Sequence, residues 1–550
     1  MKKYLTILSI IVIIFFAKTV TFADDQSYSI FATGTIGEIE KLISDTEIDI
    51  NYVSEEGITP LMMAAGQNTL PVVKMLVESG GEINYINQDG ETPLIHAVKY
   101  NNDKEIVEYL INQGATIKVA NNDGYTPLML AVVNNNQEMV SLLLERGARA
   151  NYLSIRGDTP LNLALINNSN LKIVDSLLKG GADARSIGDM GYTPLMLAAK
   201  YSSLEVVDKL IDEKARVNII NQKGVTPLML AAAHNQPEVI NLLIERGAKV
   251  NFENDNGWTP LMSAIANHNG PEVISALIKA GSDPNYLSSK GWTPLLVAIE
   301  VDASINIIQQ LIREGADVNL KNEKGNSPLF HALKTNKSFP VISLLIDRVD
   351  KGITDNRGWN PIHMAVMHNC PKEVLNLLLE SGFQLNQPGE NGLTPLMIAI
   401  IQQREPSLVD YLISRGADIS LTYQNANLLI LASVESKERK VIDLLIEHGI
   451  GRDNINQALL MAAAHNSNHH IIQALIDYGA DVNVQKNGYT PLMYASAKNT
   501  NVKVLKALLE NGADINLKSN DGHRAFDYAE LNDSFKDKDI LDKLNPTIIQ

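Results

Sequence analysis

The stretch Gly224-Val225-Thr226-Pro227-Leu228-Met229-Leu230-Ala231-Ala232 decides the fold, because near copies of it return along most of the chain. Successive copies from Pro60 to Pro395 are 33 or 34 residues apart, and a further copy follows at Pro491. A fixed period in this range is typical of a stacked array, in which each unit buries its apolar face only against its neighbours. The sequence therefore predicts one long array. The prolines of the copies are Pro60, Pro93, Pro127, Pro160, Pro194, Pro227, Pro260, Pro294, Pro328, Pro361, Pro395 and Pro491.

The unit over residues 221–247 shows how one copy should fold. It opens with a tight turn, for which its glycine supplies positive φ. Thr226 then caps a short helix that begins at Pro227, where the missing N–H of proline costs nothing. A second helix begins at Pro237 and ends at Gly247. Each unit is therefore predicted to be two antiparallel helices with a projecting turn, which makes the fold all-α.

Asparagine recurs eight residues after the proline in many units. It is the commonest non-glycine residue in the left-handed conformation that can end a helix. We therefore interpret this column as structural, with a left-handed residue at each position. Its members are Asn68, Asn101, Asn135, Asn168, Asn235, Asn336, Asn369 and Asn499.

Residues 224–232 and Gly479-Ala480-Asp481-Val482-Asn483 resemble the ankyrin repeat. The resemblance covers nearly all of residues 26–544 and implies an ankyrin-repeat α-solenoid of about sixteen units, elongated and curved. The family's usual Thr-Pro-Leu-His is nearly kept only at Asn360-Pro361-Ile362-His363. Most other units carry Met or another apolar residue in place of His, so we expect soft packing there instead of a hydrogen-bond network.

Two features interrupt the regular array. The units over about residues 420–458 lack the Thr-Pro pair, and one has a shortened turn, which predicts a hinge or a change of curvature. Terminal repeats need polar outer faces, so degenerate capping units are expected at both ends. The first cap is predicted over residues 28–43. The last is predicted over residues 524–530, followed by a closing helix at 539–544.

Residues 1–23 differ in kind from the array over residues 24–550. Lys2 and Lys3 precede a short apolar run, and Thr21-Phe22-Ala23 offers small residues for cleavage, which is typical of a secretory signal peptide. A membrane anchor is the alternative, although the run is short and Lys18 interrupts it. We therefore expect an exported protein, periplasmic or secreted, that does not touch the membrane after cleavage. The composition and the signal suggest a bacterial source.

The net charge limits the classes of partner, and the cysteine content excludes an internal disulfide. Loss of three lysines with residues 1–23 changes the formal net charge from −16 to −19. Such a surface repels phosphate backbones and anionic lipid, so we expect no nucleic acid partner. Cys370 is the single cysteine, so no internal disulfide forms, and we interpret it as a small residue in a turn.

The sequence contains no recognisable catalytic, metal or cofactor motif. It has no phosphate loop, no His-Glu-x-x-His and no cysteine pair for zinc. Residues 254–257 resemble the start of a calcium loop, but Ser263 stands where the loop needs Glu. His469-His470 is read as a solvated turn. We therefore expect no catalytic residues, no metal and no cofactor.

The remaining candidate is a surface. In ankyrin repeat proteins the residue between Gly and Thr-Pro lies on the projecting turn, faces the concave side and often binds partners. Large aromatic residues at such a position suit a binding hot spot. The alternative is that each ring lies flat on the next turn and stiffens it. The predicted protein-binding residues are Tyr125, Tyr192, Trp258, Trp292, Trp359 and Tyr489.

The sequence thus favours a monomeric, non-enzymatic scaffold that acts outside the cytoplasm and binds a protein through its concave face and the ridge of turns. A secreted effector that engages host proteins is the alternative. An enzyme would need a site in the irregular region, where Lys440, Asp453 and Asn454 form no recognisable arrangement.

Overall fold

The computed structural model describes residues 29–46, 49–101, 103–167, 170–535 and 538–545. The predicted signal peptide, residues 1–23, lies outside them. The described chain is built from helix pairs and divides into two compact units, Met1–Asp283 and Pro284–Gln550. This architecture confirms the all-α repeat fold.

The described residues of the first unit form eight helix pairs. Their first helices are Ile30–Thr33, Pro60–Gln67, Pro93–His96 (continued as a π-helical turn, Ala97–Asn101), Pro127–Val133, Pro160–Asn167, Pro194–Tyr201, Pro227–His234 and Pro260–Ala266. Their second helices are Ile36–Thr46, Leu70–Glu78, Lys104–Asn112, Gln137–Glu145, Leu171–Lys179, Leu204–Asp212, Pro237–Glu245 and Pro271–Lys279.

The part of the second unit that the structure describes also forms eight pairs. Their first helices are Pro294–Glu300, Pro328–Lys334, Pro361–Met367, Pro395–Ile401, Leu428–Glu435, Ile455–His465, Pro491–Lys498 and Ala525–Glu530. Their second helices are Ile305–Arg313, Phe339–Ile346, Lys372–Glu380, Pro406–Ser414, Arg439–Glu447, His469–Asp477, Val502–Glu510 and Lys538–Leu544. Short 3₁₀ turns occur at Arg452–Asn454 and Asp533–Phe535 in this unit and at Asp189–Gly191 in the first unit.

The helices begin where the capping residues predict. The Thr226 hydroxyl accepts a hydrogen bond from the Met229 N–H at 3.2 Å, and Pro227 is the first helical residue. This first helix is buried over almost its whole surface because helices of the preceding and following repeats pack on both sides. The second helix buries one stripe that includes Val239, Ile240 and Leu243. Burial of these stripes against neighbouring repeats stabilises the array.

The segment between one repeat's second helix and the next first helix projects from the stack, and we call it a finger. In the finger over residues 214–225, Asn221 Oδ1 accepts from the Val225 N–H at 3.0 Å, and Gly224 has φ 68°. The predicted tight turn is therefore confirmed. Many consecutive fingers are also hydrogen-bonded to each other, for example from the Gln222 N–H to the Met190 carbonyl at 3.2 Å.

The asparagine column has two conformations, and the prediction of a left-handed residue is correct for only part of it. Asn135, Asn336 and Asn369 have φ between 51° and 54°. The structure corrects the prediction at three positions: the backbone is extended at Asn68, Asn235 and Asn499. Two further members fit neither description, because Asn101 ends a π-helical turn and Asn168 lies outside the described residues.

The extended asparagines link neighbouring repeats through their side chains. Asn235 Nδ2 donates to the carbonyls of Ala199 at 3.0 Å and Ser202 at 3.1 Å, at the end of the preceding first helix. Asn499 Nδ2 does the same to Ala463 and Asn466, at 2.8 and 2.9 Å. These carbonyls would otherwise lack a partner at a helix C-terminus. The extended asparagines of one repeat thus supply hydrogen-bond donors to helix-end carbonyls of the preceding repeat.

The irregular region continues the helix stack. Residues 423–426 form a tight turn with Gln424 at φ 50°, and Asn427 caps the next helix through Ile430 N–H at 3.0 Å. Arg452–Asn454 then leads directly into Ile455–His465, without a finger of the usual length. That helix packs against Leu428–Glu435 and Pro491–Lys498. Whether this region acts as a hinge stays a prediction.

Candidate protein-interaction surface

The six aromatic residues predicted to bind protein lie on the fingers but are not fully exposed. Five of them are half-buried: Tyr125, Tyr192, Trp258, Trp292 and Tyr489. Trp359 is only 3% exposed. The expectation of an accessible ring is therefore wrong for Trp359, and it is only partly met for the others.

Neighbouring groups cover Trp359 on several sides. The Arg357 guanidinium lies 3.7 Å from the ring centroid, and the His363 ring stacks on it at 5.8 Å and 19°. Gly389 of the next finger leaves room for the indole, because a Cβ there would come within 2.5 Å of Trp359 Cδ1. This arrangement favours the alternative in which the ring stiffens the ridge.

His363 explains why this unit nearly keeps the family motif. Its ring is fully buried, Nδ1 accepts from the Asn360 N–H at 3.2 Å, and Nε2 lies 3.2 Å from the Leu393 carbonyl of the next finger. Burial lowers the pKa of His363 to about 4. The histidine is therefore a neutral link between repeats, and the expected hydrogen-bond network is present at this unit.

Glu91 stands in the register that the aromatic residues occupy elsewhere, yet its side chain is buried. Lys99 Nζ lies 2.6 Å from its carboxylate and His96 Nε2 lies 3.0 Å from it. Burial of the carboxyl opposes ionisation, but attraction and hydrogen bonding from His96 and Lys99 outweigh it and lower the pKa of Glu91 to about 2. A carboxylate so completely paired is a structural ion pair.

A row of exposed aliphatic residues, which sequence reasoning missed, lies on five fingers of the first unit, while Ala120 and Glu253 stand at the same position in two others. Its side chains are between 38% and 66% exposed. They stand two residues after the position that is usually Asn, and this periodic apolar column could have been read from the sequence. We call it the aliphatic row: Val53, Ile86, Leu153, Ile187 and Ile220.

The same register is mostly polar in the second unit. Leu287 is 41% exposed there, but the equivalent positions in most later fingers are Lys321, Thr354, Pro388, Thr422, Gln485 and Lys518. The second unit thus shows that the fold does not require aliphatic residues at this position. Contiguous exposed apolar side chains on a folded surface mark interaction sites.

Cys370 is buried, and its thiol donates to the Leu333 carbonyl at 3.4 Å. Burial raises the pKa of the thiol to about 11. It therefore takes part in the packing between repeats, and its protonated state does not favour nucleophilic chemistry.

Among the described residues, no three His, Cys, Asp or Glu side chains are grouped so that they could hold a metal ion. His469 and His470 begin a helix, and their ring centroids are 4.0 Å apart. No helix within the described ranges has the length and apolar character needed to cross a bilayer.

Comparison with known proteins identifies the family. The family model for ankyrin repeats (3 copies) matches ten overlapping segments that together run from residue 31 to residue 519. The chain therefore belongs to the ankyrin repeat family. Ankyrin repeats are in general protein–protein interaction modules, and the family is typically a non-catalytic scaffold.

Several curated proteins share part of this array. An ankyrin repeat protein of fowlpox virus (strain NVSL) is 36% identical over 134 residues, which is 22% of this chain and 38% of that protein. The nuclear factor NF-kappa-B p105 subunit of Gallus gallus is 28% identical over 163 residues, or 27% of this chain and 16% of the relative. An ankyrin repeat protein of Acanthamoeba polyphaga mimivirus is 32% identical over 135 residues, covering 24% and 26%. The chain thus spans less than two fifths of each of these relatives.

Proposed function

We propose that this chain is a non-enzymatic scaffold that binds a partner protein through its fingers. The aliphatic row is the observation that carries the proposal, because side chains such as Leu153, Ile187 and Ile220 are about half exposed to water or more. Burial of each against a partner would contribute about 1 kcal/mol or more. Helices that pack on their neighbours hold the fingers in place, so little entropy is lost on binding.

The aromatic residues keep a part in this proposal. Trp258 and Trp292 are half-buried, so part of each side chain stays accessible to a partner. The Trp292 ring meets His331 edge-on at 5.9 Å. A held ring loses little rotamer freedom on binding, which suits a hot spot.

We further propose that the protein acts outside the cytoplasm, with residues 1–23 as a cleaved export signal. The positively charged start of this segment, its short apolar run and the small residues at Thr21-Phe22-Ala23 support the proposal. A secreted effector that engages host proteins is the second candidate. It shares the same fold, so the place where the mature chain accumulates, periplasm or medium, separates the two.

Affinity capture tests the binding proposal. We expect immobilised wild-type chain to retain a defined set of proteins from its own compartment. Replacing Leu153, Ile187 and Ile220 by Ser should lower their retention about tenfold or more, because three apolar contacts are lost. The fold should be unaffected because all three side chains are exposed.

The matched control places Ser at Thr422, Gln485 and Lys518, in the same register of the second unit, and should retain the proteins normally. Equal retention by wild-type and the Leu153, Ile187 and Ile220 variant would exclude the aliphatic row as the binding face. Retention of no protein by the wild-type chain would argue against the scaffold itself.

A further inference from the structure

Three consecutive fingers of the first unit carry an arginine where the chain's own repeat pattern has another residue. Arg149 and Arg216 each follow the alanine that begins a finger, and that position is Asp in many other fingers, as at Asp481. Arg185, in the finger between them, stands where neighbouring fingers have Asn. Three departures to the same residue type in adjacent fingers form a local chemical feature that repetition of the fold does not explain.

The aspartate at this position has a structural role that arginine cannot fill. Its carboxylate accepts a hydrogen bond from the backbone N–H two residues later, at 2.8–3.0 Å. Arginine has no acceptor, so Arg149 and Arg216 lack this bond. Residues that break a local structural pattern are expected at functional sites. The aspartates that make the bond are Asp49, Asp183, Asp317, Asp350, Asp418, Asp481 and Asp514.

Each arginine lies beside aliphatic groups. Arg149 and Leu153 border one open recess of about 600 Å³. Arg185, Ile187 and Arg216 border a second, of about 260 Å³. All three arginines are exposed, and Arg185 Nε lies 3.6 Å from Asp183 Oδ1. Arg149 and Arg216 form no ion pair with any other residue that the structure describes.

Hydrogen bonds hold the three fingers side by side. Asn151 Nδ2 donates to the Gly181 carbonyl at 2.7 Å, and Asn151 Oδ1 accepts from the Asp183 N–H at 2.8 Å. The Gln222 N–H donates to the Met190 carbonyl at 3.2 Å. The arginines and the aliphatic residues therefore lie on three adjacent fingers that are hydrogen-bonded to each other, and we call this set the strip.

The charge of this strip contrasts with the rest of the chain. The chain has 63 acidic and 47 basic residues and a formal net charge of −16. In the second unit the register of Arg149 and Arg216 is mainly acidic, with Asp317, Asp350, Asp418, Asp481 and Asp514. Exposed arginines on such a background create a local positive potential that attracts carboxylates.

We propose that the strip formed by Arg149, Arg185 and Arg216 with Leu153, Ile187 and Ile220 binds an extended protein segment in which acidic residues alternate with large apolar residues. Arginine binds a carboxylate through two parallel hydrogen bonds, and the aliphatic side chains bury apolar groups between them. The inference rests on the proposed scaffold function and adds the chemistry of the partner.

The test uses a variant that the chain itself suggests. In the double substitution Arg149→Asp and Arg216→Asp, both positions receive the residue that other fingers use, with its hydrogen bond to the backbone. The variant is therefore expected to fold at least as well as wild-type. The control, Lys290→Asp with Lys518→Asp, produces the same change of net charge on exposed finger residues of the second unit.

The probe is a random peptide library panned against the full chain, followed by binding measurements on the recovered peptides. We expect the peptides to be enriched in both Asp or Glu and Leu, Ile or Phe. Their affinity should fall about tenfold or more in the Arg149→Asp, Arg216→Asp variant, stay within about twofold in the control, and weaken as salt is added.

Three outcomes would overturn the inference. They are recovery of no peptides or of peptides without acidic residues, equal affinity for wild-type and the arginine variant, and tighter binding of a single-stranded oligonucleotide than of the peptides. Its failure is distinguishable from failure of the scaffold. If the wild-type chain and the arginine variant capture the same proteins equally well, the scaffold function is supported. Only the inference of an acidic, apolar partner segment is then wrong.

Discussion

At the scale of single residues, burial and hydrogen-bond partners separate structural side chains from accessible ones. Trp359 and His363 looked from the sequence like a binding anchor and a family remnant, but they stack on each other within the ridge. The buried Glu91 carboxylate, with Lys99 and His96 beside it, takes the place of an aromatic ring. Residue type alone would not have placed either group.

His363 should make stability depend on pH. Its pKa is about 4 in the folded chain, against about 6.5 when unfolded. Between these values the unfolded state binds a proton that the folded state does not, so the free energy of unfolding falls as pH drops through this window. The loss is up to about 3 kcal/mol. His363→Met, which installs the residue that many other units carry, should flatten this part of the profile.

Urea unfolding at about pH 7 and about pH 4.5 measures the effect. The variant should be less stable than wild-type near neutrality, because it loses the contacts to Asn360 and Leu393, and the difference should shrink or reverse in acid. If the free energies of unfolding of wild-type and variant differ by the same amount at both pH values, the lowered pKa of His363 is contradicted.

At the scale of the element, a repeat is a helix pair, and the carbonyls at the end of its first helix accept hydrogen bonds from the next repeat. Asn235 and Asn499 reach back to carbonyls at the end of the preceding first helix. Asn369 occupies the same register but takes a left-handed backbone at φ 54° and points to solvent. One residue type thus serves two purposes at one position of the repeat.

Glycine substitution should distinguish the two purposes. Asn369→Gly should change stability by less than about 0.5 kcal/mol, because glycine adopts positive φ without strain. Asn499→Gly should cost about 2–3 kcal/mol, since two carbonyls lose their donor and an extended backbone gains freedom. The shift of the urea midpoint, followed by circular dichroism, reports both. Equal shifts would contradict the division.

At the scale of the whole molecule, each repeat packs against the adjacent repeats of its unit. The first helix Pro227–His234 packs against Pro194–Tyr201 and Pro260–Ala266. Cohesion in such an array is approximately a sum over adjacent repeats. A local defect should therefore weaken nearby repeats most.

Hydrogen exchange tests this expectation. Leu228→Ala should leave a cavity that costs about 3 kcal/mol, because Leu228 is 1% exposed. Exchange should rise in the helices of residues 194–201 and 260–266 and stay near wild-type in residues 491–510. Leu508→Ala, at a fully buried position of the second unit, should give the converse pattern. A uniform rise along the chain would show that stability is shared globally.

The sequence by itself determined the repeat, the helix pairs, most capping residues and the family, because each depends on patterns that recur within one unit. The aliphatic row and the arginines that replace Asp or Asn in three fingers can also be read from the sequence. The prediction of a binding surface was based on the aromatic residues instead. Only the tertiary structure decided which side chains face water and which asparagines cross to the preceding repeat. Those outcomes depend on contacts with the neighbouring repeat, as the burial of Trp359 depends on Gly389 of the next finger. The residues of a neighbouring repeat lie about thirty positions away in the chain, so a pattern within one unit does not reveal these contacts.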